Sequence, residues 1–101
     1  MSKIIAVDFD GTLCEEKWPG IGKPRMHVIK EAIARQRAGD TIILWTCREG
    51  ARLIEAIEWL AKQGLCCDYV NMNAPWLNEK YGNDSRKIGA DEYWDDRSVR
   101  K

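Results

Sequence analysis

A chain of 101 residues is long enough for one hydrophobic core, so we predict a single domain over residues 1–101. The 16 basic and 16 acidic side chains cancel, which excludes the strong positive charge that draws a protein to nucleic acid or to an anionic membrane. Hydrophobic residues make up 45% of the chain, a share that argues against intrinsic disorder.

The first part of the chain joins an apolar strand to two carboxylates. Residues 4–7 (Ile-Ile-Ala-Val) predict a strand buried on both faces, and Asp8 and Asp10 follow it directly. Two prolines and two glycines then mark a loop that runs to Arg25. Apolar residues three and four apart predict a helix from Met26 to Ala38, which the next glycine ends.

The remainder of the chain continues the alternation of strands and helices. We predict a strand from Thr41 to Thr46, a helix from Gly50 to Gln63, a weaker strand from Cys67 to Asn71, a short helical segment from Trp76 to Tyr81 and a fourth strand from Ile88 to Trp94. Such alternation predicts a three-layer, Rossmann-like α/β fold, with a parallel sheet of about four strands and helices on both faces.

The cysteines and the N-terminal residues indicate an intracellular protein. No apolar run approaches the ~20 residues of a membrane span, and the N-terminus lacks the residue order of a signal peptide. The four cysteines include an adjacent pair and fit no zinc-binding spacing, so we expect free thiols. We therefore predict a cytoplasmic protein.

Polar side chains follow three of the predicted strands. Asp8 and Asp10 come after the first strand, Thr46 ends the second, and Asp95 and Asp96 come after the fourth. Ligands of parallel sheets bind at the carboxyl ends of the strands, so we expect these side chains to converge at one edge. So many carboxylates need a cation, and Mg²⁺ is suited because it prefers hard oxygen ligands.

A phosphate group would complete this edge. The Mg²⁺ ion, the Thr46 hydroxyl, the Lys87 ammonium group and the backbone amides near Gly11 are all able to hold phosphate oxygens. The sequence therefore predicts a phosphoryl-transfer site, and a phosphorylated molecule as its substrate.

The same residues carry a family resemblance. The sequence DFDGT at residues 8–12, Thr46 after the second strand, Lys87 before the fourth, and Asp95 and Asp96 after it resemble the four signature motifs of the haloacid dehalogenase superfamily of phosphohydrolases. The motifs span most of the chain and occur in the family's order. The resemblance implies the fold of that superfamily, for which we expect the strand order 4-1-2-3.

The resemblance also implies a role for each motif. Asp8 would be the nucleophile that forms an aspartyl-phosphate, and Asp10 the general acid and base. Thr46, Lys87 and Gly11 would hold the phosphate. The implied Mg²⁺ ligands are carboxylates and a backbone carbonyl, and they lie at both ends of the chain: Asp8, Asp10 through its carbonyl, and Asp95, Asp96 or both.

The chain differs from many members of the superfamily because it has no room for a cap domain. The segment between the first strand and the first helix, residues 13–25, is long enough only for a short flap. Capless members act on large substrates or close their sites by forming homo-oligomers, and both alternatives stay open here.

Two other functions stay open. A receiver domain, which accepts a phosphoryl group on Asp, also combines acidic residues, Thr, Lys and Mg²⁺, and a silent phosphate-binding module would keep the same fold. Receivers have their acidic pair on the first strand and the acceptor Asp on a middle strand. In this chain the carboxylates follow the first and last predicted strands, which favours a phosphatase.

Two side chains beside the predicted site have alternative interpretations. Trp18, in the flap, either stacks on a substrate or packs within the protein. Arg48, just after the second strand, either contacts a phosphate or pairs with a carboxylate, and we expect it to pair with Glu49 or Glu55.

Overall fold

The computed structural model describes residues 2–72 and 89–95, which form a parallel α/β domain. Its elements in chain order are β1 (Ile4–Asp8), α1 (Met26–Arg37), β2 (Thr41–Trp45), α2 (Gly50–Lys62), β3 (Tyr69–Val70) and β4 (Glu92–Trp94). The predicted strands and the two longer helices are confirmed, although β3 and β4 are shorter than predicted. The helical segment predicted from Trp76 to Tyr81 lies outside the described residues.

The sheet has β1 near its centre and β4 at one edge. The strand order is β3-β2-β1-β4, which is the same order as 4-1-2-3 read from the opposite edge. All three pairings are parallel, and Val7 of β1 lies opposite both Leu44 of β2 and Trp94 of β4. Ile5, Ala6 and Val7 are completely buried. β2 and β3 lie on one side of β1 and β4 lies on the other, so the strand order switches direction between β1 and β4. Ligands bind at such switch points in open α/β sheets.

Both described helices pack on one face of the sheet. The prediction of helices on both faces is not tested, because residues 73–88, between β3 and β4, lie outside the described residues. Ile5 and Val7 of β1 share a core cluster with Val28 and Ile29 of α1 and with Leu60 of α2. The topology explains this, because the chain steps from β1 to β2 and from β2 to β3 in the same direction. Crossovers of the same hand that step in the same direction lie on the same face.

The second face of the sheet is lined by small and aromatic side chains. Ala6 and Ile43 are completely buried there, with Tyr69 packed against them. Trp45 of β2 and Tyr93 of β4 meet edge to face across β1, with ring centroids 6.3 Å apart. The small side chain of Ala6, opposite Tyr93 in the register, gives the two rings room to meet.

An arginine at the end of α1 anchors the edge strand β4. The Arg35 guanidinium donates to both carboxylate oxygens of Glu92, at 3.2 and 2.7 Å, and to Asp40 at 2.7 Å. These hydrogen bonds with Arg35 hold the pKa of Glu92 below its ordinary value. The pKa of Asp40 is also lowered, first by the backbone N–H of Lys3 and then by Arg35. The network ties α1, the turn after it and β4 together.

The Arg35→Met variant should be less stable than the wild type by about 1–3 kcal/mol at pH 7, since it removes charge-assisted hydrogen bonds to two largely buried carboxylates. Both carboxylates have lowered pKa values in the folded protein, so their stabilisation is present above the pKa of the unfolded chain, about 4. This stabilisation is lost as the pH falls through the pKa values that the two carboxylates have in the folded protein. Urea denaturation at pH 7 and pH 3 should show the difference shrinking at the lower pH.

The matched control for that measurement is Arg37→Met. Arg37 lies in the same last turn of α1 and is exposed, so its replacement should change the free energy of unfolding by less than about 0.5 kcal/mol at either pH. An Arg35→Met loss of equal size at both pH values would contradict the role given to the two carboxylates.

The four cysteines are free thiols, as predicted. Burial raises the pKa of Cys67 to about 12 and also raises the pKa of Cys14. Both thiols are therefore protonated and unreactive at neutral pH. Neither described helix is long and apolar enough to cross a membrane.

Candidate functional site

The carboxyl ends of three neighbouring strands bring the predicted site residues together. Asp8 ends β1 opposite Trp45, and Thr46 is the next residue after Trp45. Val7 lies opposite Trp94, so Asp95 follows β4 beside Asp8. Neighbouring strands are about 4.8 Å apart, which places Asp8 and Asp95 side by side. Lys87 and Asp96 lie outside the described residues.

The DFDGT sequence forms a tight turn after β1. The carbonyl of Phe9 accepts hydrogen bonds from the N–H groups of Thr12 and Leu13, at 3.2 and 3.0 Å. Gly11 has a φ of 86°, a left-handed conformation that glycine adopts without steric cost. Its N–H donates to the Cys14 carbonyl at 2.9 Å. The amides of Gly11, Thr12 and Leu13 are therefore used within the turn, and phosphate binding by amides near Gly11 stays a prediction.

Asp8 and Asp10 have different surroundings. Asp8 is half-buried, and its Oδ1 accepts the N–H of Phe9 at 2.8 Å. Phe9 points into the core and is completely buried, which fixes the turn between the two carboxylates. Asp10 lies beyond it and accepts hydrogen bonds from Arg48 on both carboxylate oxygens. The Asp10 side chain is therefore paired with the Arg48 guanidinium.

Arg48 pairs with Asp10, so the prediction that it pairs with Glu49 or Glu55 is wrong. Its Nε donates to Asp10 Oδ2 at 2.9 Å and its terminal NH2 group donates to Oδ1 at 2.7 Å. The Arg48 side chain is completely buried, and its hydrogen bonds to Asp10 raise its pKa. The prediction weighed only carboxylates nearby in sequence. Arg48 follows β2 at the same edge as Asp10, and that placement brings the two side chains within reach of each other.

Arg48 also joins this edge to the flap, residues 13–25. It donates to the carbonyls of Pro19 and Gly20, at 3.3 and 2.7 Å. Its guanidinium carbon lies 5.1 Å from the ring centre of Phe9 and 4.9 Å from that of Trp18. Trp18 therefore packs against Arg48, although 54% of its surface stays exposed.

The flap is a closed loop with little freedom in its backbone. The Glu15 N–H donates to the Lys23 carbonyl at 2.8 Å, and the Arg25 N–H donates to the Leu13 carbonyl at 2.9 Å. A Cβ at Gly22 would lie 2.2 Å from the Glu15 carbonyl oxygen, so only glycine fits there. The Arg25 side chain donates to the Gly11 carbonyl at 2.6 Å. The flap is thus tied to the turn that carries Asp10.

Thr46 is held by a residue that the sequence did not identify as functional. The Thr46 N–H donates to Asn71 Oδ1 at 2.8 Å, and its hydroxyl oxygen accepts the Arg48 N–H at 3.2 Å. Asn71 has a φ of 51°, which Asn tolerates better than most residues. The feature that could have indicated this role is an Asn directly after β3, at the same edge of the sheet as Thr46. Within residues 2–72 and 89–95, the described contacts of the Thr46 hydroxyl leave its proton for a further acceptor.

The oxygen donors at this edge are of the type that Mg²⁺ prefers. Asp8 ends β1, Asp95 follows the neighbouring strand β4, and Asp10 lies in the turn after β1. Both oxygens of the Asp10 side chain accept from Arg48. In the part of the chain that the structure describes, no three acidic, His or Cys side chains form a metal cage. Mg²⁺ commonly needs only one or two carboxylates, with water and phosphate as further ligands.

Comparison with known proteins supports the fold. No protein-family model and no curated protein matches the chain. Among solved structures, a conserved protein from Bacteroides thetaiotaomicron matches with a TM-score of 0.85 and 39% sequence identity. The match covers 98% of this chain and 79% of that one. The likeness therefore extends over nearly all of the α/β domain.

Proposed function

The chain and the conserved Bacteroides protein belong to one family. From the chemistry of the strand edge, we propose that the chain is a Mg²⁺-dependent phosphatase that acts through an aspartyl-phosphate on Asp8. The observation that supports this most is the placement of Asp8 at the end of β1, beside Asp95 and Thr46. A nucleophilic carboxylate, a second carboxylate for the metal and a hydroxyl donor then lie within one substrate's reach.

In the proposed reaction an oxygen of Asp8 attacks phosphorus in line with the ester oxygen. The bond from phosphorus to the ester oxygen breaks, and Asp10 gives that oxygen a proton. Asp10 then takes a proton from water as the water attacks the phosphorus, which releases inorganic phosphate and restores Asp8. Dividing the hydrolysis in this way replaces one difficult step by two easier ones.

The remaining residues would hold the reacting groups. Asp8 and Asp95, with the Asp10 carbonyl, would bind Mg²⁺, which supplies positive charge for the phosphate oxygens. The Thr46 hydroxyl would donate to a phosphate oxygen, and the Asn71 side chain fixes the backbone of Thr46 for that contact. Lys87 and Asp96, outside the described residues, stay predictions as a phosphate ligand and a metal ligand.

The cellular compartment, the substrate class and the partners of the protein also stay predictions. We propose a cytoplasmic enzyme whose substrate is a phosphomonoester, with no nucleic-acid or membrane partner. The flap is too short to enclose a substrate as a cap domain does, so the site is either open to large substrates or closed by a second copy of the chain. Size-exclusion chromatography with light scattering separates these two alternatives.

The proposal is tested by hydrolysis of p-nitrophenyl phosphate with and without Mg²⁺. We expect turnover that falls at least ~100-fold on chelation and returns when Mg²⁺ is added back, since bound metal contributes several kcal/mol of transition-state stabilisation. Activity that survives chelation would contradict the proposal. Stabilisation by beryllofluoride in a thermal melt, with no turnover of any phosphate ester, would instead indicate a phospho-acceptor module.

A further inference from the structure

We propose that Arg48 is a positioning residue that orients the carboxyl group of Asp10 for proton transfer to the leaving group. The inference rests on the proposed phosphatase activity. It concerns how the chain orients the Asp10 carboxyl group, which lies in the turn beyond the end of β1.

The contact between the two side chains fixes a plane. Arg48 donates from Nε to one carboxylate oxygen of Asp10 and from Nη2 to the other, at 2.9 and 2.7 Å. A planar guanidinium that binds a carboxylate with two parallel hydrogen bonds defines the orientation of the carboxyl plane. Each carboxylate oxygen retains a second lone pair that Arg48 does not use. These lone pairs are the sites from which Asp10 can accept and deliver a proton, and their directions are set by Arg48.

Arg48 is itself held by hydrogen bonds that leave little capacity for a substrate. Besides Asp10 it donates to the carbonyls of Pro19 and Gly20, so that four hydrogen bonds are used within the protein. Both hydrogens of the NH2 group and the single hydrogen on Nε are committed. A group arranged in this way acts on its carboxylate partner, whereas a phosphate-binding arginine presents two N–H groups outward.

Burial makes this arrangement rigid. The Arg48 side chain has no exposed surface, and the rings of Phe9 and Trp18 lie against its guanidinium group. Phe9 is in the turn between Asp8 and Asp10, while Trp18 and the two carbonyls belong to the flap. The flap therefore has a structural role at the site, because it supplies half of these contacts that hold Arg48 in place.

The test compares two esters of nearly the same shape. p-Nitrophenol is a good leaving group that departs without a proton, whereas phenol departs readily only when an acid protonates it. If Arg48 acts through Asp10, Arg48→Lys should lower kcat/KM for phenyl phosphate at least ~10-fold more than for p-nitrophenyl phosphate, because general acid catalysis is worth about 10² to 10⁴. Lysine keeps the positive charge but cannot donate two parallel hydrogen bonds to one carboxylate.

Arg52→Ala is the matched control. Arg52 is exposed, donates to the same Pro19 carbonyl at 3.3 Å and lies over the same Trp18 ring at 5.5 Å, with no contact to Asp10. It should leave the ratio of the two kcat/KM values unchanged. Equal losses for both esters in Arg48→Lys would show a merely structural role and overturn the inference, while leaving the phosphatase proposal intact.

Two further outcomes are decisive. A wild-type protein that hydrolyses neither ester overturns the phosphatase proposal, and this inference falls with it. If Arg48→Lys does not fold, Trp18→Ala replaces it, since this exposed ring supports Arg48 from outside the core. We expect the same preferential loss for phenyl phosphate, about 2- to 5-fold, and a loss that is equal for both esters would overturn the inference.

Discussion

Asp8→Asn is expected to lower the turnover of p-nitrophenyl phosphate at least about a thousandfold while leaving the fold intact. An amide of the same shape cannot form the aspartyl-phosphate, so the divided reaction path is lost. The residual rate would come from binding and electrostatic effects alone. Because p-nitrophenol needs no proton from Asp10, this ester isolates the loss of the nucleophile.

The fold should tolerate the change because Asn preserves the local hydrogen bond. Asp8 Oδ1 accepts the Phe9 N–H, and an amide oxygen accepts the same bond. Turnover and thermal melting measured on one preparation distinguish lost chemistry from lost structure. Asp91→Asn is the control, since Asp91 also accepts a backbone N–H at 2.8 Å, from Ile4, at the opposite end of the same strand pair. A rate for Asp8→Asn above a tenth of the wild-type rate would reject Asp8 as the nucleophile.

Trp94→Ala should destabilise the protein by about 3–5 kcal/mol, a large part of the 5–15 kcal/mol typical of a whole domain. Trp94 is completely buried and belongs to the main core cluster, although it lies on the edge strand β4. Its removal leaves a large cavity against β1 and takes away the hydrogen bond that its Nε1 donates to Glu92 at 3.1 Å. Denaturant unfolding followed by circular dichroism measures the loss.

Two variants separate the cavity from other effects of this substitution. Trp94→Phe keeps most of the buried ring and should cost clearly less than Trp94→Ala. Trp18→Ala removes the same side chain from an exposed position and should cost under about 1 kcal/mol, the value of an exposed cation–π contact. If Trp94→Ala and Trp18→Ala were equally stable, the burial of Trp94 would not contribute as described.

The pattern of residues predicts the fold well where one physical effect dominates. The unbroken apolar run at residues 4–7 can only be buried on both faces, and this placed β1 inside the sheet. Alternating strands and helices were sufficient to predict parallel pairing. The prediction of helices on both faces stays a prediction, because most of the connection between β3 and β4 lies outside the described residues.

The candidate site was predictable only in part because its contacts cross between strands. The positions of Asp8, Thr46 and Asp95 follow from strand ends alone. The partner of Arg48 cannot be predicted from strand ends, because the choice between Glu49 and Asp10 depends on how the flap packs over the turn. The role of Asn71 likewise depends on a left-handed backbone conformation that several residue types can adopt.

The pairing of β1 with β4 has a consequence for how the chain folds. Ile4 and Asp91 are joined by two hydrogen bonds although they are 87 residues apart in sequence. Bringing such distant segments together costs more chain entropy than joining β1 to β2, and pairings of this range form slowly. Asp8 acquires Asp95 as a neighbour only through this pairing. If the chain is the proposed phosphatase, its catalytic competence is tied to this long-range contact between β1 and β4, and magnesium-dependent turnover would report on whether β4 has docked.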